Sequence, residues 1–346
     1  LEVEVELGEY SNLTLRATWT TSRPGTSEVV FGEGSPQWTL SHDEAVTEHE
    51  VVLYGLHANT DVTLQAVSTF ADGTVACSGL RLGRTGPLPP SVPIGKLGAY
   101  AAGEMQPGWT LLNVSNRFFE WPPTVVMYDL SGRPVWYVIV EPDAFDRRGD
   151  LDVSLTADGR VLVGGSGSAI RPRAFDLTGR PVWWGPQQVE PEQHHHFQQE
   201  PDGTYVYLRH GVDERYPGLD LTEVVQIDED LVTTWSWDPY EHMDALTVAP
   251  TAEGDVVHGN SVTVDGDHVY LNSRNLGRLF KLSRDTGEVL WALGRRGDFA
   301  ADPDAESPWF RSQHDPELQD DGSWLFYDNA GLPGQHSRIL QLAIDD

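Results

Sequence analysis

The sequence predicts an all-β protein: a small β-sandwich over about residues 1–88, followed by a β-propeller over about residues 94–346. Three observations predict it. HHFQQEPDGTYVYL from His195, HGNSVTVDGDHVYL from His258 and HDPELQDDGSWLFYD from His314 share one pattern. In each, a His is followed seven residues later by an Asp-Gly turn and then by a β-branched or aromatic run. A second pattern, strand, polar turn and a strand closing on Trp, recurs between these copies. Helical periodicity is essentially absent.

The N-terminal part alternates as half-buried strands do. LTLRATWTTS runs from Leu13, SEVVFGE from Ser27, and HEVVLYGLHANTDVTLQAVSTF from His49 to Phe70. Strands at this spacing, separated by turn residues, fit a sandwich. The stretch YGLHANTDVTLQAVS resembles the corresponding part of fibronectin type III domains. The Pro-rich segment from Thr85 to Pro93 cannot hold a ladder and reads as a linker.

Beyond it, the outer hairpins of the propeller blades are VVMYDLSGRPVWYV from Val125, AFDLTGRPVWWG from Ala174, VVQIDEDLVTTWSW from Val224 and LFKLSRDTGEVLWALG from Leu279. ILQLAIDD from Ile339 starts a fifth. Trp136, Trp183, Trp235 and Trp291 close the second strands, where blade-to-blade packing accounts for them. LDVSLTADGRVLVGG from Leu151 is a fourth copy of the inner hairpin, with Leu in place of His. Weaker strands over 94–124, such as GWTLLNVS from Gly108, could complete a sixth blade. The ring closes either with a strand from the early segment or with residues beyond this sequence.

The formal net charge of −30 argues against nucleic acid and anionic membranes as partners, since both need basic surface. Solubility or adaptation to salt explains it more simply. Cys77 is the only cysteine, so no intrachain disulfide can form. No apolar run is long enough to span a bilayer. The sequence begins at Leu1 with no visible signal peptide.

The shared register carries the functional reading. Equivalent positions on the inner strands of a propeller point at one axis, so His195, His258 and His314 converge although far apart in sequence. Three such imidazoles can ligate a metal with an open fourth position, or can serve nucleophilic and acid–base chemistry. The neighbours favour the second use. The strand after His258 runs YLNSRN and places Asn272, Ser273, Arg274 and Asn275 near the channel end, and Arg209 and His210 end the strand after His195. A fixed guanidinium disfavours a dication and favours an oxyanion held by a bidentate fork. A metalloenzyme with these histidines as ligands and a non-catalytic ligand-binding propeller remain the alternatives.

HHHFQQEPDG, HGNS, SRNLGRLFKLSRDTGEVLWALG and QHDPELQDDGSWLFYDNAG resemble, in order and spacing, the motif series of the bacterial arylsulfate sulfotransferases. The likeness spans about residues 94–346, and the N-terminal sandwich is similar to that family's accessory domain. The resemblance implies a six-bladed propeller that moves a sulfuryl group from an aryl sulfate to a phenol through a sulfated histidine. It implies ping-pong kinetics, no metal or nucleotide cofactor, and a periplasmic or secreted protein. A homodimer is compatible with it.

By motif, His314 resembles the family's nucleophile, His258 and Arg274 its sulfate-binding residues, and His195 the remaining channel histidine. His194, His196, Arg209, Asn260 and Asn275 stand beside these as substrate-binding candidates. For His194, His196, His210 and His336 a polar rim or structural hydrogen bonding is the plainer explanation. Asp315 and Asp328–Asn329 could orient imidazoles or simply make turn hydrogen bonds. One departure stands out: where the family has Asp after its paired histidines, this chain has His196.

Overall fold

The computed structural model describes residues 1–96, 98, 107–114, 122–141, 151–165, 171–187, 193–301, 309–330 and 336–344. They are nearly all β, as expected. Among them the only α-helix is α1 (Met243–Leu246), entered through a 3₁₀ turn over Pro239–His242. The chain divides into two compact units. The first holds Leu1–Pro142, Gly159–Val161 and Arg173–Trp184; the second holds Asp143–Asp158, Leu162–Pro172 and Gly185–Asp346.

In the first unit, β1 (Val3–Leu7), β2 (Leu15–Glu33), β3 (Trp38–Leu53), β4 (Asp61–Thr69), β5 (Val75–Cys77) and β6 (Arg81–Arg84) form one six-stranded sheet. The register between β2 and β3 shifts on both sides of Gly25. Such bulges bend a strand, and both halves of β2 accordingly bury their inward residues in one core. Leu15, Ala17 and Trp19 from one half meet Val29 and Phe31 from the other, with Leu53, Leu64 and Ala66 between them.

The meander β7 (Thr110–Val114), β8 (Thr124–Tyr128) and β9 (Pro134–Ile139), expected in the C-terminal domain, packs in this same unit. The reason is a second apolar cluster that joins Leu13 and Val92 to Val126, Tyr128 and Tyr137. The Pro-rich segment is tied in by backbone bonds from Asn59 N–H to Gly86 O and from Gly86 N–H to Asn12 O. His57 adds a polar bridge, with Nδ1 2.8 Å from Glu33 Oε2 and Nε2 3.0 Å from Asp129 Oδ2. The short hairpin of β12 (Arg173–Phe175) and β13 (Pro181–Trp184) completes the unit.

The second unit is built of antiparallel meanders taken in sequence order. It contains β10 (Leu151–Leu155) and most of β11 (Val161–Gly165). Next come β14 (Gln193–Gln199) and β15 (Tyr205–His210), then β16 (Leu219–Asp220), β17 (Thr222–Ile227) and β18 (Thr233–Trp237). They are followed by β19 (Gly254–Asp255), β20 (Gly259–Asp265), β21 (His268–Ser273), β22 (Arg278–Ser283) and β23 (Val289–Gly294). The last meander is β24 (His314–Leu318), β25 (Trp324–Asp328) and β26 (Arg338–Leu342).

The sheets β14-β15-β17-β18 and β20-β21-β22-β23 are four-stranded, and β16 pairs in parallel with β19 alongside them. The Asp-Gly turns that close the inner hairpins carry Gly203, Gly266 and Gly322 at φ 88°, 57° and 82°. A side chain there would be strained, which is why the repeat needs Gly.

Tryptophan indoles of β18 latch onto the neighbouring meander: Trp235 Nε1 donates to Arg284 O at 2.8 Å and Trp237 Nε1 to Gly287 O at 2.9 Å. Under them lies a core that includes Val206, Leu208, Val224, Val262, Leu271 and Phe280. The first strands stand side by side: β10 packs against β14, β14 against β20, and β20 against β24.

Candidate active site

All nine candidate residues lie in the second unit; His194, His195, His196, His258, Asn260 and His314 are on or just before first strands, Arg209 is near the end of β15, and Arg274 and Asn275 follow β21. His195 sits within β14, His258 immediately precedes β20, and His314 opens β24. Each inner hairpin loses its register at that point, between Gln193 and Phe197, between Gly259 and Ser261, and between His314 and Glu317. His195, His258 and Asp315 adopt φ of 60°, 46° and 48°. Non-glycine residues rarely hold such angles, and they gather at sites where a bulge re-aims side chains.

The rings of His194, His195, His210 and His258 form one cluster. His194 stacks on His210 at 4.3 Å between centroids, and His195 meets His258 edge-on at 4.9 Å. His194 and His195 also face each other through their Nδ1 atoms at 2.9 Å, so one of the two donates and the other accepts. Burial, then the neighbouring histidines, hold His194 neutral well below the usual imidazole range. The cluster is edged by two carboxylates that the sequence reading did not single out. Asp220 Oδ2 accepts from His210 Nδ1 at 2.5 Å, and Asp255 takes both the backbone N–H and Nδ1–H of His258. The signal for Asp255 was its position three residues before His258.

Burial acts to raise the Asp255 carboxyl, but the bond from His258 and the nearby imidazoles outweigh it and keep it below the ordinary range. With Nδ1 bound to Asp255, His258 presents Nε2 to the site. Arg274 is held beside it, since Arg274 N–H donates to His258 O at 3.0 Å. Its guanidinium donates to Asn275 Oδ1 at 2.9 Å and, among the described residues, has no carboxylate partner. Asn275 in turn donates to Asp255 O at 2.8 Å and braces the loop.

His314 is half-buried, with Nδ1 3.0 Å from Ser312 O and 3.0 Å from Asn329 Nδ2. We assign the proton to Nδ1, because Ser312 O only accepts; this assignment turns the Asn329 amide over, so that its oxygen instead of Nδ2 faces the ring. Nε2 is left with its lone pair. Desolvation lowers the affinity of His314 for a second proton, and the charges of Arg274 and His258 add to this against the Ser312 bond. Asp328 does not orient an imidazole: it accepts from Arg311 N–H and Ala330 N–H and pairs with Arg338.

The remaining candidates separate from this group. Arg209 is paired to Glu223 at 2.6 Å. Asn260 is buried and donates to Gln313 O at 2.8 Å, in an amide network with Asn272 and Gln313. His196 turns toward β10, where Asp152 Oδ2 lies 3.6 Å from its Nδ1. His336 is exposed. Among the described residues, no group of three or more His, Cys, Asp or Glu side chains could hold a metal ion.

Residues 100–339 match the family described as Arylsulfotransferase (ASST). The chain belongs to the arylsulfotransferase family. Membership implies aryl sulfotransferase activity, with an aryl sulfate and a phenol as small-molecule substrates. Among curated proteins, none matches the chain. Two solved structures are similar to this arylsulfotransferase. A protein of unknown function from Bacteroides caccae is 10% identical, covering 92% of this chain and 90% of its own, with a TM-score of 0.44. Another of unknown function, from Bacteroides thetaiotaomicron VPI-5482, is 13% identical, covering 95% and 81%, with a TM-score of 0.33. Among the described residues, no helix is long and apolar enough to cross a membrane.

Proposed function

We propose that this arylsulfotransferase moves a sulfuryl group from an aryl sulfate to a phenol in two steps, through a sulfohistidine on His314. The observation that carries the reading is the state of that imidazole. Its Nδ1–H is engaged by Ser312 O, so Nε2 is an unprotonated nucleophile beside Arg274 and His258. In the first step Nε2 attacks sulfur in line with the departing aryl oxygen. Arg274, His258 and His195 balance charge on the sulfuryl oxygens, a preorganised electrostatic effect. A second phenol reverses the step, which gives ping-pong kinetics. Asn275 and Asp255 brace the loop that carries Arg274 and His258, and His194 supports the ring cluster.

The adjacency of the first strands β10, β14, β20 and β24 supports a propeller-like arrangement of these meanders, while six blades over 94–346 and a fibronectin-type accessory sandwich over 1–88 rest on the family likeness alone. The family likeness supports export to the periplasm or beyond. His314→Asn tests the core of the reading. It is expected to keep the fold and to lower phenol release from an aryl sulfate by roughly three orders of magnitude or more. Wild type incubated with donor alone should gain the mass of one sulfuryl group on the peptide containing His314. A folded His314→Asn protein with full activity would overturn the assignment.

A further inference from the structure

His196 stands where the family motif has an aspartate, and the fold supplies a carboxylate at that place from another strand. Asp152 follows Leu151 at the start of β10, the register that Asp315 holds after His314 on β24. Because β10 packs against β14, Asp152 Oδ2 comes within 3.6 Å of His196 Nδ1 and accepts the Phe197 N–H at 2.9 Å. The imidazole of His196 is only 9% exposed, and its Nε2 is buried with no other partner. The Phe197 N–H bond fixes the carboxylate, and the buried His196 ring packs beside it. Asp152 itself keeps 28% of its side chain open. Burial raises its carboxyl above the ordinary range; His196 and the Phe197 N–H oppose this, and Asp315, next to His314 on β24, adds to it. A carboxyl that is clamped in place, dehydrated by its surroundings and still reachable can both hold and release a proton.

We propose that Asp152 is the acid–base residue for the phenolic oxygen, with His196 as its positioning residue. The proposal rests on the sulfuryl-transfer reading above. In the first step the sulfur–oxygen bond of the donor breaks as the bond from His314 Nε2 to sulfur forms. The protonated Asp152 gives its proton to the departing aryl oxygen, so a neutral phenol leaves. In the second step the acceptor phenol attacks sulfur, the nitrogen–sulfur bond breaks, and the phenolic proton returns to Asp152. Protons balance over the cycle. The chain thereby keeps a carboxylate–imidazole pair but takes the two members from neighbouring strands instead of consecutive residues.

The test compares two donors within one protein preparation, so that the folded fraction cancels. 4-Nitrophenyl sulfate releases a stable phenolate that needs little protonation, whereas phenyl sulfate releases a basic one. In Asp152→Asn the rate of phenol release should fall far more with phenyl sulfate, so that the ratio between the two donors rises by about 100-fold over wild type. A rise of less than about tenfold overturns the role of Asp152. His196→Ala should raise the ratio in the same direction, and His196→Asn, which keeps a polar donor beside Asp152, should recover part of the loss. If wild type turns over neither donor, the sulfotransferase reading falls and the Asp152 role with it. Turnover by wild type with an unmoved ratio in Asp152→Asn sinks the Asp152 role alone.

Discussion

Arg274 is the cation of the site that no carboxylate neutralises among the described residues, and its placement is a backbone matter before it is a side-chain matter. Its N–H holds His258 O, while Asn275 holds both the guanidinium and the Asp255 backbone. Asp255 completes the circuit through Nδ1 of His258. A planar fork fixed in this way can grip two sulfuryl oxygens at once, which a single ammonium cannot do. Arg274→Lys is therefore expected to weaken sulfate binding about tenfold with the fold intact. Calorimetry with inorganic sulfate measures it, and an unchanged affinity would remove Arg274 from the clamp. Arg209, by contrast, is already committed to Glu223, so its charge is spent within β15 and β17.

The hairpin repeat was legible because its cause is local. An Asp-Gly turn demands a positive φ, the turn fixes the register, and the register places His195, His258 and His314 at equivalent heads of adjacent strands. What was not legible is whatever depends on strand-to-strand adjacency. Asp152 lies beside a histidine of another strand and Asp220 bonds one, and the buried amides of Asn260, Asn272 and Gln313 read as ordinary polar residues until β20, β21 and the entry to β24 are packed together. That network has an energetic consequence. Gln313 Nε2 donates to Asn272 Oδ1 and to Ser273 O, both at 2.8 Å, and Gln313 is fully buried next to His314. Gln313→Leu removes the donors and leaves buried acceptors unsatisfied, a cost of about 1–3 kcal/mol. Urea denaturation should register that loss. Wild-type stability in this variant would show that the network contributes nothing.

Across the whole molecule, carboxylates of two kinds act in opposite directions with pH. Turn aspartates accept the N–H and hydroxyl of a Ser or Thr two residues on: Asp129 from Ser131, Asp202 from Thr204, Asp321 from Ser323. These bonds lower the carboxyls of Asp202 and Asp321, and for Asp129 they outweigh burial together with Arg133 and His57. Folded values below unfolded ones mean stability that is present above about pH 4 and lost as pH falls through the folded values. Glu200 is the reverse case. It is buried, one carboxyl oxygen has no partner, and desolvation followed by the charge of Asp202 pushes it up to about 7. A raised carboxyl favours the folded state at acid pH and costs stability as pH climbs from its unfolded value, about 4.5, through about 7. The formal charge of −30 adds self-repulsion on the same alkaline side. Stability should therefore peak near pH 5, on the acid side of neutrality. Urea midpoints measured between about pH 3.5 and 8 check this, and Glu200→Gln should flatten the neutral limb by up to about 3 kcal/mol while changing little near pH 4.5. A wild-type midpoint that climbs steadily from pH 5 to 8 would mean that Glu200 is ionised at no cost in the folded protein.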